Sequence, residues 1–293
     1  MIFDNTSHPK IDTLSFDSYT EAIEAVRNMD AEKNEWRKRS MGLSRHFEGV
    51  SSFSEAMQLA FGGWPEGKNR IKALVDKLDI QSHIVKPAIF FDVVGDGGFD
   101  MGRVLTGVPE NMMDWRETEI EQKSPTGDIV RIVFNCVASG MVSTDVLEKR
   151  GAAVLALVDA LETAGKRVEL DVIYYIGASG KSEAGKVIKI IVPVKRADFA
   201  AQIDQIAFAL VHPAFMRVFM FSLLSLCGQN GKASAATSCG HFGAESRYPI
   251  EADIYIDKAY GLDSNFESAQ SIAQWIKNTL HKFGIRLDTD NRP

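Results

Sequence analysis

Cysteine is nearly missing: only Cys136, Cys227 and Cys239 occur among 293 residues, an odd number at wide spacing with no CxxC pair. Neither a disulfide framework nor a thiolate zinc site is signalled, and the usage is that of a reducing compartment. Long apolar runs are missing too. The most hydrophobic stretch, Phe215 to Cys227, is too short for a bilayer, and the amino-terminal MIFDNTSHPK has no basic segment leading into an apolar run. The chain therefore reads as soluble, with no membrane contact. An excess of positive charge is also absent: 33 Lys and Arg stand against 39 Asp and Glu, a formal charge of -6. That balance excludes a protein whose whole surface wraps nucleic acid, and leaves only local basic patches for such contacts. No repeat or low-complexity tract is visible. What is present is an ordinary globular composition, 45% hydrophobic. At this length it buries one large core or two modest ones without disulfide or metal.

Ser18 with Glu21 and Ser52 with Glu55 have capping-box spacing, in which the serine oxygen and the glutamate satisfy amides at a helix start. The first helix then carries Ala22, Ile23, Val26 and Met29 on one stripe. The second carries Phe53, Met57, Ala60 and Phe61 and stops at Gly62 and Gly63. A third starts near Pro65 with Ile71, Leu74, Val75 and Leu78 at helical spacing. Residues 1–80 are expected to be a helical amino-terminal region, and residues 81–293 an α/β domain.

The sheet is expected to begin at residues 88–94, a buried apolar run feeding the glycine-rich loop of DVVGDGGFD. Residues 105–128 lack a long period and read as an irregular insertion with a helical turn at 110–115. The pattern then sharpens into a strand at 129–134, a helix at 145–164 ended by Gly165, and a strand at 168–175. A parallel pair joined in this way makes a right-handed crossover. The loop GASGKSEAGK at 177–186 implies an antiparallel hairpin to the strand 187–194, placed at the sheet edge. Two apolar helices, a glycine- and serine-rich loop at 228–247, a half-exposed strand at 250–256 and a helix opened by Ser264 and Glu267 follow. The fold class is α/β, a mostly parallel sheet with an antiparallel edge strand.

This order, over roughly residues 129–283, is similar to the von Willebrand factor A fold in topology rather than in motif. In that family a DxSxS loop after the first strand, a threonine in a later loop and an aspartate after the fourth strand hold a magnesium ion that receives a partner's carboxylate. Here the first strand ends as Asn135, Cys136, Val137, Ala138, Ser139, Gly140, Met141, Val142, Ser143, so an amide replaces the acid. The resemblance implies Asn135, Ser139 and Asp257 as magnesium ligands, and a set so poor in carboxylates predicts weak binding. The competing reading is a polar turn capping the helix near Thr144 and Asp145. The stretches FGGWPEGKNRI, FFDVVGDGGFDMGRVLTGVPENMM, RGAAVLALVDALETAGKRVEL and FALVHPAFMRVFMF also resemble an uncharacterised family encoded by tailed bacteriophages, over about residues 53–225. That likeness implies a viral protein acting in a bacterial host's cytoplasm or in the virion, and carries no chemistry with it.

Asp92, Asp96 and Asp100 lie on a glycine-rich loop after a strand, the edge where open α/β sheets bind ligands. They can converge on a divalent cation, or serve simply as turn residues. The Ser179, Gly180, Lys181, Ser182 run has its first glycine, Gly177, misplaced for a phosphate-binding loop. Cys239 and His241 share a loop but have no orienting acid, and His212 before Pro213 reads as a helix-junction residue bonded to backbone. Lys33, Arg37, Lys38, Arg39 and Arg45, with Trp36 among them and His46 next to Arg45, form the one basic concentration, suited to phosphates and a stacked base. The leading expectation is a non-enzymatic phage accessory or structural protein acting on a protein partner, with self-association left open. The alternatives are a single-stranded nucleic-acid-binding factor using residues 33–46, and a metal-dependent hydrolase using the 92–100 loop.

Overall fold

A computed structural model describes residues 1–4, 7, 11–29, 45, 47–78, 84–94, 98–119, 128–139, 142–177, 187–199, 202–229, 250–259 and 264–287. The strands in chain order are β1 (Ile2–Asp4), β2 (Ile11–Ser15), β3 (Ile84–Asp92), β4 (Met112–Glu119), β5 (Ile129–Asn135), β6 (Arg167–Gly177), β7 (Val187–Lys195), β8 (Ile254–Ile256) and β9 (Arg286–Leu287). The helices are α1 (Tyr19–Arg27), α2 (Phe53–Gly62), α3 (Pro65–Leu78), α4 (Met101–Leu105), α5 (Thr144–Thr163), α6 (Ile203–Val211), α7 (Phe221–Gln229) and α8 (Ala269–Lys282). A π-helical turn, Phe215–Met220, precedes α7.

Six strands form one sheet in the order β1-β2-β7-β6-β5-β8. The neighbours β2/β7, β6/β5 and β5/β8 are parallel, and β1/β2 and β6/β7 are antiparallel. The unit β5–α5–β6 forms as its periodicity requires, with Ile132 opposite Leu170 and Phe134 opposite Val172. Gly165 takes φ +82° just past α5, where an L side chain would be strained. Ser18 and Ser52 accept the Glu21 and Glu55 amides at 3.1 Å, so both helix starts are capped as expected.

One face of this sheet, through Leu14, Ile132, Phe134, Leu170, Val172 and Ile190, packs on the helices in a single core. Each such side chain, fully buried, contributes roughly 1.5–3 kcal/mol. Helices α5 and α6 touch at Gly151, where an added Cβ would lie 2.2 Å from Val211 Cγ2 and 3.0 Å from the Leu210 carbonyl oxygen. The other face carries Val133, Ile173, Tyr175 and Val187 with Ile191, Ile250 and Ala252, and no described helix belongs to that cluster. Between α6 and the π-helical turn the chain bends by 72°. There Pro213 cannot continue a helix, and His212 Nδ1 accepts the Ala214 N–H at 3.1 Å, the backbone bond expected of it. No single described helix is long and apolar enough to cross a membrane.

Several expectations are corrected. Residues 1–80 are not helical throughout: β1 and β2 extend the sheet, Leu14 being fully buried. The strand after the hairpin is not at the edge, because β2 pairs with β7 in parallel. Its near-continuous burial is that of an interior strand, and the antiparallel edge strand is β1. The 88–94 run does not open the main sheet. It belongs to β3 in a separate antiparallel sheet ordered β4-β3-β9, and Val93 and Val94 lie beyond it, exposed. Residues 112–119, expected to be irregular with a helical turn, are strand β4, paired along β3 from Val85↔Glu119 to Asp92↔Met112. The last helix starts later than Ser264, after a 3-10 turn, with Ser268 capping the Ser271 N–H at 3.1 Å.

Candidate functional site

Open α/β sheets bind ligands outside the carboxyl ends of their strands, where the chain leaves adjacent strands in opposite directions. Here that point lies between β5 and β8, since β6 flanks β5 on one side and β8 on the other. Two of the residues singled out from the sequence, Asn135 and Asp257, are linked there through the Tyr255 hydroxyl. Fully buried Asn135 accepts the Val137 N–H at 3.2 Å through Oδ1, and donates through Nδ2 to the Tyr175 carbonyl at 3.4 Å and the Tyr255 hydroxyl at 3.3 Å. That hydroxyl donates to Asp257 Oδ1 at 3.0 Å, which also accepts the Lys258 N–H at 2.8 Å. Burial holds the Tyr255 hydroxyl well above the usual phenol range, so it remains a donor. The backbone of Ser139 joins the same end: its N–H donates to Ala259 O at 3.0 Å, and the Ala259 N–H donates to Val137 O at 2.9 Å.

The group beneath these loops escaped the sequence reading. Arg150, on α5, is 0% exposed. Its Nη2 donates to the main-chain carbonyls of Asn135, at 3.1 Å, and of Asp257. Its Cζ lies 4.6 Å from the Phe134 ring centroid. The signal was available: Arg150 follows Leu147 by three and precedes Val154 and Leu157 by four and seven, so it lies on the apolar stripe. Burial pushes the neighbouring Cys136 thiol far up despite the guanidinium, so it packs as a protonated, inert group.

These residues do not fit magnesium. The Asn135 amide is engaged on both sides, the ligating carboxylate is reduced to Asp257, and a buried guanidinium of like charge already bonds the strand ends. Among the described residues, no group of three His, Cys, Asp or Glu side chains is placed to hold a metal ion. Ser143 occupies the N-cap position of α5, but its side chain makes no capping hydrogen bond, and Asp145 pairs with Lys149 at 2.8 Å.

Two of the three carboxylates of the acidic loop accept nearby backbone amides. Asp92 Oδ1 accepts the Val93 N–H at 2.7 Å, and Asp100 Oδ1 accepts the Arg103 N–H at 3.0 Å, capping α4. Asp96 lies outside the described residues. Around these carboxylates, large apolar side chains face solvent: Val93, Val94, Phe99, Met101 and Leu105 are each more than half exposed, Val94 by 81% and Leu105 by 80%. The residues 177–186 other than Gly177, with Cys239 and His241, fall outside the described residues, as do Lys33, Trp36, Arg37, Lys38, Arg39 and His46. Arg45 is described, and its guanidinium bonds Glu55 at 3.0 Å and Ser51 Oγ at 3.4 Å.

A family model described as a domain of unknown function, DUF7192, matches residues 5–286. No curated protein and no solved structure matches the chain.

Proposed function

The chain belongs to the DUF7192 family, and on that premise we propose that it is a non-enzymatic docking protein that holds a partner protein against the β3–β4 end of its smaller sheet. The observation that carries this reading is the outward display of Val93, Val94, Phe99, Met101 and Leu105. Exposed apolar groups concentrated in one place and rimmed by polar ones mark association surfaces, and here Asp92, Asp100 and Glu110 supply the rim. Arg103 steadies the tip, with its Cζ 3.8 Å from the Phe91 centroid and its Nη1 donating to Glu110 O at 3.2 Å. A surface already held in place loses little entropy on binding.

We read the larger sheet as a degenerate von Willebrand factor A-like core with two added strands, and its role as support for the docking end. Two features favour that reading: β7 runs antiparallel beside β6, and β8 lies on the far side of β5. Arg150 stands at the strand ends where that family holds a cation, so docking does not depend on a divalent ion. The setting, a phage-infected bacterium's cytoplasm or a virion, rests on the sequence stretches that resemble tailed-phage proteins.

The test is co-purification from infected cells with the tagged wild-type chain and with Val94→Asp/Leu105→Asp. The wild type is expected to retain a partner in the presence of EDTA, and the double variant to lose it with its circular dichroism unchanged. Equal recovery by both chains, or self-association as the sole interaction, overturns the proposal.

A further inference from the structure

The geometry points to a second binding site, a cavity of about 230 Å³ on the face of the large sheet opposite its helices, that takes a small free α-amino acid with an apolar side chain. It shares no residue with the β3–β4 tip and does not depend on it.

Strand register builds this cavity. Side chains alternate across a strand, so Arg131 and Val133 on β5, Asp171 and Ile173 on β6, and Lys189 and Ile191 on β7 come to one face. Ile173 stands opposite Ile191, while Asp171 pairs with Pro193 and Lys189 with Tyr175. The residues bearing the carboxylate and the ammonium therefore lie on opposite sides of an apolar rung. Val133 and Ile173, each 1% exposed, make the floor, and Ile250 and Glu251 complete the described wall.

Two groups in this lining have bonding capacity that the described residues do not use. Asp171 is 3% exposed, and its Oδ2 accepts Arg131 Nη2 at 2.9 Å and Nε at 3.3 Å. Its Oδ1 is buried without a hydrogen bond, since Arg196 Nη1, at 3.9 Å, is too far to donate. A buried carboxylate oxygen in that state costs free energy until a donor reaches it. Lys189 is the complementary case. Its ammonium has neither a hydrogen bond nor an ion pair among the described residues. Burial, and then the like charge of Arg131, hold its pKa below the usual lysine range against the opposing pull of Asp171 and Glu251.

Charge then selects the ligand. The described lining carries two cations and two carboxylates, and Arg131 and Asp171 already bond through Oδ2. Lys189 and Glu251 remain, one of each sign. A lone anion would meet both carboxylates and a lone cation both basic groups, whereas a zwitterion satisfies the whole set. Its carboxylate faces Lys189, its ammonium donates to Asp171 Oδ1 on the Glu251 side, and the isoleucine rung receives its side chain. The volume, below the roughly 300–1,000 Å³ of drug-sized pockets, restricts that side chain to a small one.

The probe is L-valine, titrated into the full chain at low ionic strength and followed by calorimetry. Saturable binding with a Kd below roughly 1 mM is expected. Lys189→Met and Glu251→Gln should each weaken it roughly tenfold or more, and thermal melting should be unchanged in the second variant, whose residue is exposed. N-acetyl-valine, which keeps only the carboxylate, and valinamide, which keeps only the ammonium, are both expected to bind more weakly than valine. Absence of saturation, or an affinity untouched by both substitutions, overturns the site; an acetylated or amidated probe that binds as tightly as valine overturns the zwitterionic ligand.

Discussion

The carboxyl end of the large sheet and the tip of the small one solve opposite problems. At the first, side chain and backbone close on each other: Asn135, Tyr255 and Asp257 are hydrogen-bonded in series, and the Arg150 guanidinium ties the carbonyls beneath. At the second, Val94, Phe99 and Leu105 face water while Asp92 and Asp100 each accept a backbone N–H of their own turn. The described carboxylates at both ends accept nearby hydrogen bonds, but the first end is closed by buried polar groups and the second shows apolar side chains to solvent. Substitutions at the first should therefore change stability, and those at the second should change association.

The largest effect is expected from Arg150→Leu. It leaves the carbonyls of Asn135 and Asp257 without that donor inside the core, each at a cost of roughly 1–3 kcal/mol. Loss of stacking on Phe134 adds to this, for a total of about 3–5 kcal/mol in urea unfolding at neutral pH. A shift below about 1 kcal/mol would show that the strand ends hold without the guanidinium, and the contrast would fail at its centre.

His212 comes next, through pH. Its folded pKa is lowered to about 4 from 6.5, chiefly by burial and against the opposing pull of Glu55. The folded state therefore binds fewer protons than the unfolded one. The stability His212 carries is whole above pH 6.5 and declines as pH falls from there toward 4, by up to about 3 kcal/mol. Carboxylates titrate toward the acid end as well, so the measurement is the difference between wild type and His212→Gln. That difference should shrink as pH drops through this window, and a constant difference would refute the assignment.

Gly151→Ala ranks third. On helix propensity alone the change should stabilise α5 by roughly 0.5–1 kcal/mol. The close approach of Val211 and Leu210 reverses the sign, because a Cβ would lie 2.2 Å from Val211 Cγ2. Thermal unfolding should report a loss of about 1–3 kcal/mol, and a stabilised variant would mean that α5 and α6 can separate without penalty.

How much of this was legible follows from which signals are local. The β5–α5–β6 unit was readable because both periods run uninterrupted, and the caps at Ser18 and Ser52 because a serine and the third residue beyond it settle them. Strand β2 was hidden because the position that alternates with Leu14 and Phe16 on the buried face is held by a charged residue, Asp12. Strand β4 was hidden because MMDWRETE is charged, and its pairing with β3 closes a separation no periodicity records. At the site, Asn135 and Asp257 were singled out through the topological resemblance to the von Willebrand factor A fold. Arg150 was passed over because an arginine on a helix is ordinarily a surface residue, and only the fold places it under the ends of β5 and β8.

The smallest stability effect belongs to the tip, and it is the sharpest test of the contrast because it compares like with like. Phe134 is 2% exposed in the main core and Phe99 is 63% exposed beside α4. Phe134→Ala should cost about 3–5 kcal/mol by the combined loss of burial and packing. Phe99→Ala removes a ring that is already mostly in water, so its urea midpoint should move by less than about 1 kcal/mol. Its consequence should instead be read in partner recovery, which falls if that ring enters the association surface. If Phe99→Ala proves as destabilising as Phe134→Ala, the tip is a second core rather than a docking end. Should it leave both stability and recovery untouched, the partner contacts the chain elsewhere, and the outward apolar side chains lose the role assigned to them.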